Sequence, residues 1–136
     1  MTKDDCIFCR IVAGELPSRT VYADDTAVAF LDLSPWHRGH TLVVPRTHVD
    51  DVRSAGGAFA AIGPAVEAVA RLVTERLGCD GVNVTSSAGE VAGQDVFHLH
   101  VHVVPRYADK PGIRALHDID ADASPEALDA VLAELT

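Results

Sequence analysis

Between Ala58 and Leu77, apolar residues return at Ile62, Val66, Val69 and Leu72 or Val73, a spacing that predicts one long amphipathic helix. Its small residues suit close packing, and Gly78 ends it. Elsewhere the pattern is that of strands. "RTVYA" and "AVAFLDL" flank "ADDT" and predict a hairpin. The loop "SPWHRGH" is broken by Pro and Gly, and "TLVVP" after it predicts a buried strand that stops at Pro45. "GVNVTSS" alternates as a strand does. The Gly-containing loop "AGEVAGQD" follows, and "VFHLHVHVVP" predicts the last strand. The opening "CIFCRIVAGELPS" holds a short apolar run punctuated by Gly14 and Pro17. "SPEALDAVLAEL" closes the chain as a helix, with Ser124 as N-cap, Pro125 in the first turn and Glu126 at the positive end of the helix dipole. Strands and helices do not alternate regularly. The expected class is therefore α+β, a five-stranded antiparallel sheet with one long helix packed on it and a C-terminal helix.

Composition narrows the picture. A chain of 136 residues fits a single domain, 1–136, in which 108–136 form a tail and helix. The formal net charge is −9, which argues against nucleic acid or a membrane surface as partner, since each needs a basic face. A small anion held by local donors remains compatible with it. "MTKDDCIFCR" is no secretory signal, and no stretch approaches the ~20 apolar residues of a membrane span, so the cytoplasm is the expected location. The cysteines are Cys6, Cys9 and Cys79, an odd number that fits a metal pair, Cys6 and Cys9, better than a disulfide framework. A thioredoxin-like redox pair is the competing reading, but no strand precedes Cys6 to support it. Cys79, alone after the helix, reads as a small buried residue.

The stretch "GQDVFHLHVHVVPRY" carries the chemistry. His98, His100 and His102 alternate with Leu99 and Val101, so in a strand the imidazoles share one face and the apolar residues, with Phe97 and Val103, share the other. Thr, Ser or Lys would serve a merely wet face as well. Three adjacent imidazoles repel when protonated, which points to use of their neutral forms. They could bind one metal ion, or divide the work of nucleophile, proton carrier and ligand. The small residues and backbone donors of "AGQDV" suit the approach of a phosphate.

"GQDVFHLHVHVVPR", together with "CIFCRIVAGELPS…VYADD…AFLDLSPWHRGHTLVVPRTHV", resembles the histidine-triad (HIT) superfamily over Cys6 to about Tyr107, most closely its bacterial Hint-like branch. The resemblance implies a HIT-like fold and a nucleotide hydrolase or nucleotidyl transferase. His100 would attack the α-phosphorus of a purine nucleoside phosphoramidate or adenylated compound, and water would then release the nucleoside monophosphate. It also implies that His102 donates to phosphate oxygens and that His40 is a fourth histidine of the catalytic set with His98. Asp32 would hold the ribose hydroxyls. Asn83, Gly93, Gln94, Asp95 and Val96 would lie at the phosphate. Ile7, Phe8, Ile11, Phe30 and Leu33 would wall the base pocket, although simple core membership explains these five nearly as well. Asp95 departs from the family pattern, which has a hydroxyl there. An ionised carboxylate cannot donate to phosphate, so it would accept instead from a backbone N–H or an imidazole. In zinc-bearing relatives the ligands correspond to Cys6, Cys9, His48 and His98, which implies a structural zinc; no organic cofactor is expected. A homodimer with a continuous sheet is implied too. Two alternatives stay open: a dinucleoside-polyphosphate hydrolase of the Fhit type, and a non-catalytic nucleotide-binding or interaction module.

Overall fold

The computed structural model describes residues 5–113 and 124–135. The acidic stretch beyond Ile113, with His117, lies outside the described residues up to Ser124. The elements run α1 (Ile7–Val12), β1 (Thr20–Ala23), β2 (Ala27–Leu31), β3 (Thr41–Pro45), α2 (Ala58–Ala61), α3 (Gly63–Leu77), β4 (Gly81–Thr85), β5 (Val101–Arg106) and α4 (Pro125–Leu135). The strands form one antiparallel sheet in the order β1-β2-β3-β5-β4. The expected α+β class, five-stranded sheet, long helix and C-terminal helix are all present, and Ser124 caps α4 by accepting the Ala127 N–H at 3.0 Å. No helix among the described residues is long and apolar enough to cross a membrane.

The β1–β2 turn closes on Asp24, whose Oδ1 accepts the Thr26 and Ala27 N–H groups at 2.8 and 2.9 Å. β2 and β3 are buried along nearly their whole length because both faces of the sheet are covered. On one face Ala27, Ala29, Val43, Val101 and Val103 meet Ile62, Ala65, Val69 and Val73 of the helical layer. On the other, Val28, Phe30, Leu42 and Val44 meet Cys6, Phe8 and Cys9. The single helix expected over Ala58–Leu77 is split: α2 ends at Ile62 and α3 restarts with Gly63 and Pro64. Pro64 has no N–H to donate back into the preceding turn, so the first turn of a helix is the place that tolerates it. Gly78 ends α3 at φ 64°, the left-handed conformation expected of a glycine cap. α1 went unread in the sequence because it is one and a half turns long. Six residues cannot hold a helix alone, and this one is fixed by Phe8 and Cys9 in the core and by Cys6 Sγ accepting the Cys9 N–H at 3.4 Å.

The last strand is shorter than expected. Its ladder begins at Val101, so His98 and His100 precede the strand and only His102 lies in it. Their segment finds other partners: Leu99 N–H donates to the Val49 carbonyl at 2.7 Å, and Ser86 Oγ donates to the His100 carbonyl at 2.7 Å. Leu99, Val101 and Val103 still enter the core under α3, whereas Phe97 stays half-buried and outside both clusters.

Candidate functional site

One rung of the sheet sets the site. Thr20, Phe30, Leu42, His102 and Thr85 are neighbours across β1, β2, β3, β5 and β4. Directly opposed residues share a face, so His102 stands beside Leu42 and Phe30, on the face that α1 covers. There the structure opens a cleft of about 610 Å³. Into it come Ile7, Phe8, Ile11, Phe30, Leu33, Asp32, Asp95, Val96, His100 and His102, residues scattered from 7 to 102. Phe8 sits edge-on to both His98 and His100, at ring separations of 5.9 and 5.1 Å. It is therefore core and cleft wall at once.

Hydrogen bonds to groups that can only accept fix the tautomers. His100 Nδ1 lies 2.8 Å from the His98 carbonyl, so Nδ1 carries the proton and Nε2 keeps its lone pair. That Nε2 is 3.7 Å from Asp95 Oδ1. A second chain of bonds starts at the Trp36 backbone N–H, which donates to His40 Nδ1 at 3.0 Å. His40 Nε2–H then donates to His102 Nδ1 at 2.9 Å. His102 is left with its own proton on Nε2, a donor beside the Nε2 lone pair of His100, the two rings being 5.0 Å apart. Burial, then the neighbouring His100 and His40, pushes the His102 pKa down to about 4. Burial also lowers that of His40, against the pull of Asp32, whose Oδ2 is 3.7 Å from His40 Nε2. Both rings are neutral at neutral pH, as this chain of donors requires. Asp32 is itself held by the Ser34 N–H, which donates to Oδ1 at 2.8 Å.

Behind the cleft, a second group of donors converges. Cys6 Sγ and Cys9 Sγ each lie 3.4 Å from His98 Nδ1; Cys9 Sγ is 3.2 Å from His48 Nδ1, and the two Nδ1 atoms are 3.2 Å apart. His98 Nε2–H donates to the Pro45 carbonyl at 2.9 Å, and His48 Nε2–H to Asp50 Oδ1 at 3.1 Å. With those protons on Nε2, each ring turns its Nδ1 toward the other. Two lone pairs at that distance repel unless a positive charge sits between them. Burial first, with His48 and His100 adding to it, lowers the His98 pKa to about 4. The four donors form a candidate cation site.

Three expected contacts fall elsewhere. Asn83 is on β4, outside the cleft, where Arg106 Nη1 donates to its Oδ1 at 2.7 Å. Gln94 is buried and spent on the fold: Nε2 donates to the Asp50 and Val96 carbonyls at 2.6 and 3.1 Å, while Oε1 accepts the Gly89 N–H at 2.8 Å. The Gly93 and Gln94 N–H groups close a turn onto Glu90 and Gly89 rather than opening toward a phosphate. Gly93 takes φ 100°, which only glycine adopts easily. Sequence reasoning also missed Trp36, Asp50 and Arg19, the last of which lines the cleft. The only signals for them were a lone tryptophan in the loop before His40, a cation flanking β1, and an acid two residues after His48.

Comparison with known proteins gives a consistent picture. The sequence profile described as the HIT domain matches residues 13–109. "Protein hit" of Bacillus subtilis is 42% identical over 120 residues, covering 88% of this chain and 83% of its own. "Adenylylsulfatase HINT3" of Arabidopsis thaliana is 33% identical over 105 residues, covering 76% of this chain and 53% of its own. Among solved structures, a member of the HIT family from Bacillus subtilis superposes with a TM-score of 0.86 at 39% identity, over 96% of this chain and 94% of its own. A Zn-bound histidine triad family protein from Mycobacterium smegmatis does so at 0.76 and 39%, over 98% and 97%.

Proposed function

The chain belongs to the HIT family, and on that premise we propose that it is a nucleotide hydrolase working through a covalent nucleotidyl-histidine on His100. The observation that carries this reading is the His100 ring. Its Nδ1–H is tied to the His98 carbonyl, so its Nε2 lone pair is presented to the cleft beside the Nε2–H of His102. Nε2 attacks the α-phosphorus, a P–N bond forms, and the bond to the leaving group breaks. Water then attacks the same phosphorus, releases the nucleoside monophosphate and restores the imidazole. His102 Nε2–H donates to a phosphate oxygen as charge develops, and His40 holds it in that tautomer. The apolar walls take a purine base and Asp32 accepts from the ribose hydroxyls. Substrates of the class nucleoside phosphoramidate or adenylated acid fit this site, and the adenylylsulfatase name of one relative supports the second.

The Cys6, Cys9, His48 and His98 set fits zinc. Tetrahedral zinc with two sulfur and two nitrogen ligands places neighbouring donors about 3.3–3.8 Å apart, close to the 3.2–3.4 Å found here. Bound there, the ion is structural, tethering α1 and the His98 carbonyl that orients His100. Among the described residues Cys6, Cys9 and Cys79 form no disulfide, which suits a reducing compartment such as the cytoplasm. β4 is an edge strand with exposed Val84, beside Phe59, and a second copy of the chain would continue the sheet there. Light scattering should return a dimer mass; a monomer at micromolar concentration ends that part of the reading.

The test of the reaction is to quench the protein with adenosine phosphoramidate, adenylyl sulfate or diadenosine polyphosphates and map adducts by mass spectrometry. An adenylyl group on His100, and turnover abolished in His100→Ala with adenosine monophosphate still bound, is the expected result. Turnover surviving in that variant overturns it, and much faster turnover of the polyphosphates than of the other two shifts the substrate class.

A further inference from the structure

Trp36 is the chain's only tryptophan. It is 60% exposed and belongs to neither apolar cluster, so the sheet and helices do not explain it. Its ring contacts are with imidazoles. The indole stacks on His102 at a centroid separation of 4.7 Å and 14° between planes, and lies tilted over His40 at 4.6 Å and 45°. Its backbone N–H is the donor that occupies His40 Nδ1.

We propose that Trp36 is a positioning residue for the phosphate-facing imidazoles: its amide holds His40 in one tautomer, and its indole covers a ring face of His102 and keeps that ring dry and fixed. This role rests on the proposed assignment of His102 as phosphate donor; the geometry does not depend on it. A neutral imidazole that must offer Nε2–H can fail in two ways. It can swap tautomers, or it can take up a second proton and break the bond from His40. The Trp36 amide prevents the swap, because with His40 Nδ1 already accepting, His40 can only donate onward to His102 Nδ1. The indole acts against the second failure by excluding water from one face of the ring.

An indole face also attracts a cation, which would favour the protonated ring. At an exposed site that attraction is worth under about one pKa unit. Burial, with His100 and His40 adding to it, lowers the His102 pKa from 6.5 to about 4, so the balance at this ring favours the neutral form that the indole's cover supports. The other charged or titratable groups facing His102 are His100 and His40, which oppose protonation, and the Asp32 and Asp95 carboxylates, which favour it. An exposed tryptophan is a cost on a surface loop unless its covered face does something, and here that face lies on the donor pair.

The experiment compares Trp36→Ala and Trp36→Phe with the wild-type protein by imidazole 15N NMR across pH and by pH–rate profiles on adenosine phosphoramidate. Trp36→Ala keeps the amide and removes only the cover. In the wild type, His40 Nδ1 and His102 Nδ1 should be unprotonated and His102 should stay neutral to about pH 5. In Trp36→Ala the His102 pKa should rise by at least about one unit. Its kcat should fall about tenfold with KM within about twofold, and the acid limb of the profile should move up with the pKa. Trp36→Phe should recover most of each change. A protonated His40 Nδ1 in the wild type, or a folded Trp36→Ala with wild-type 15N shifts and acid limb, overturns the proposal. Should no variant turn over any nucleotide while the 15N shifts move as stated, the hydrolase reading falls and the positioning role stands.

Discussion

At the scale of single residues, the site is a set of protons placed by acceptors that cannot donate. The His98 carbonyl fixes His100, the Pro45 carbonyl fixes His98, and the Asp50 carboxylate fixes His48. Asp95 is the residue that does not fit a phosphate site. Its carboxylate is 84% exposed and its Oδ1 is 3.7 Å from the His100 Nε2 that would attack. In water a unit charge about 5 Å from another costs about 0.8 kcal/mol when the signs match. Asp95→Ser should therefore tighten nucleoside monophosphate binding by about threefold to fivefold at low salt, an effect that fades as salt is raised. Isothermal titration at two ionic strengths measures it. Equal affinity in both proteins would mean that Asp95 is turned from the phosphate.

At the scale of elements, the site leans on α1, a helix of six residues. It brings Cys6 and Cys9 to His98 and sets Phe8 against His98 and His100. The segment 98–100 has left the sheet ladder, so its position depends on these contacts and on Val49 and Ser86. Removing a metal ion from the four donors should then loosen His100 as well as the N-terminal helix. A ligand present at 100 times its dissociation constant stabilises by about 2.7 kcal/mol, which for a chain of this size is about 10 °C in Tm. Thermal unfolding with zinc against chelator should show a drop of that order in the wild type. Cys9→Ser should be insensitive to either. No response to zinc or chelator in the wild type would leave the four residues as a hydrogen-bonded cluster only.

At the scale of the whole molecule, acid should be a greater threat than base. His40 and His102 have pKa values lowered by burial in the folded chain, the latter from 6.5 to about 4. Above the unfolded value both states are neutral and nothing is lost. As pH falls below it, the unfolded chain takes up protons that the native one refuses, and stability falls until the folded value is passed. Urea unfolding at pH 7, 6 and 5 should give steadily lower free energies, with a shallower fall in His102→Gln. A flat profile would mean that the rings are not buried neutral. The acidic balance of −9 adds a general repulsion that partly relaxes on acidification, so a fall in stability can be assigned to the histidines rather than to net charge.

Much of this was present in the order of residues. Period and punctuation were enough for the hairpin, the β3 run, α3 with its glycine stop and the capped last helix, because local pattern and tertiary burial agree there. Alternating histidines and a Cys-x-x-Cys pair marked the candidate chemistry, and the family resemblance added His40. What the chain order could not contain was distance. Whether His98 turns to the cysteines or to the cleft depends on a ladder that begins only at Val101. Whether Gln94 and Asn83 meet a phosphate or the protein depends on Asp50, Gly89 and Arg106 arriving from remote segments. The same holds for a tryptophan placed over two imidazoles. Local sequence sets which conformations a segment can adopt. The direction in which a polar side chain spends its hydrogen bonds is decided by whichever acceptor the fold brings within reach.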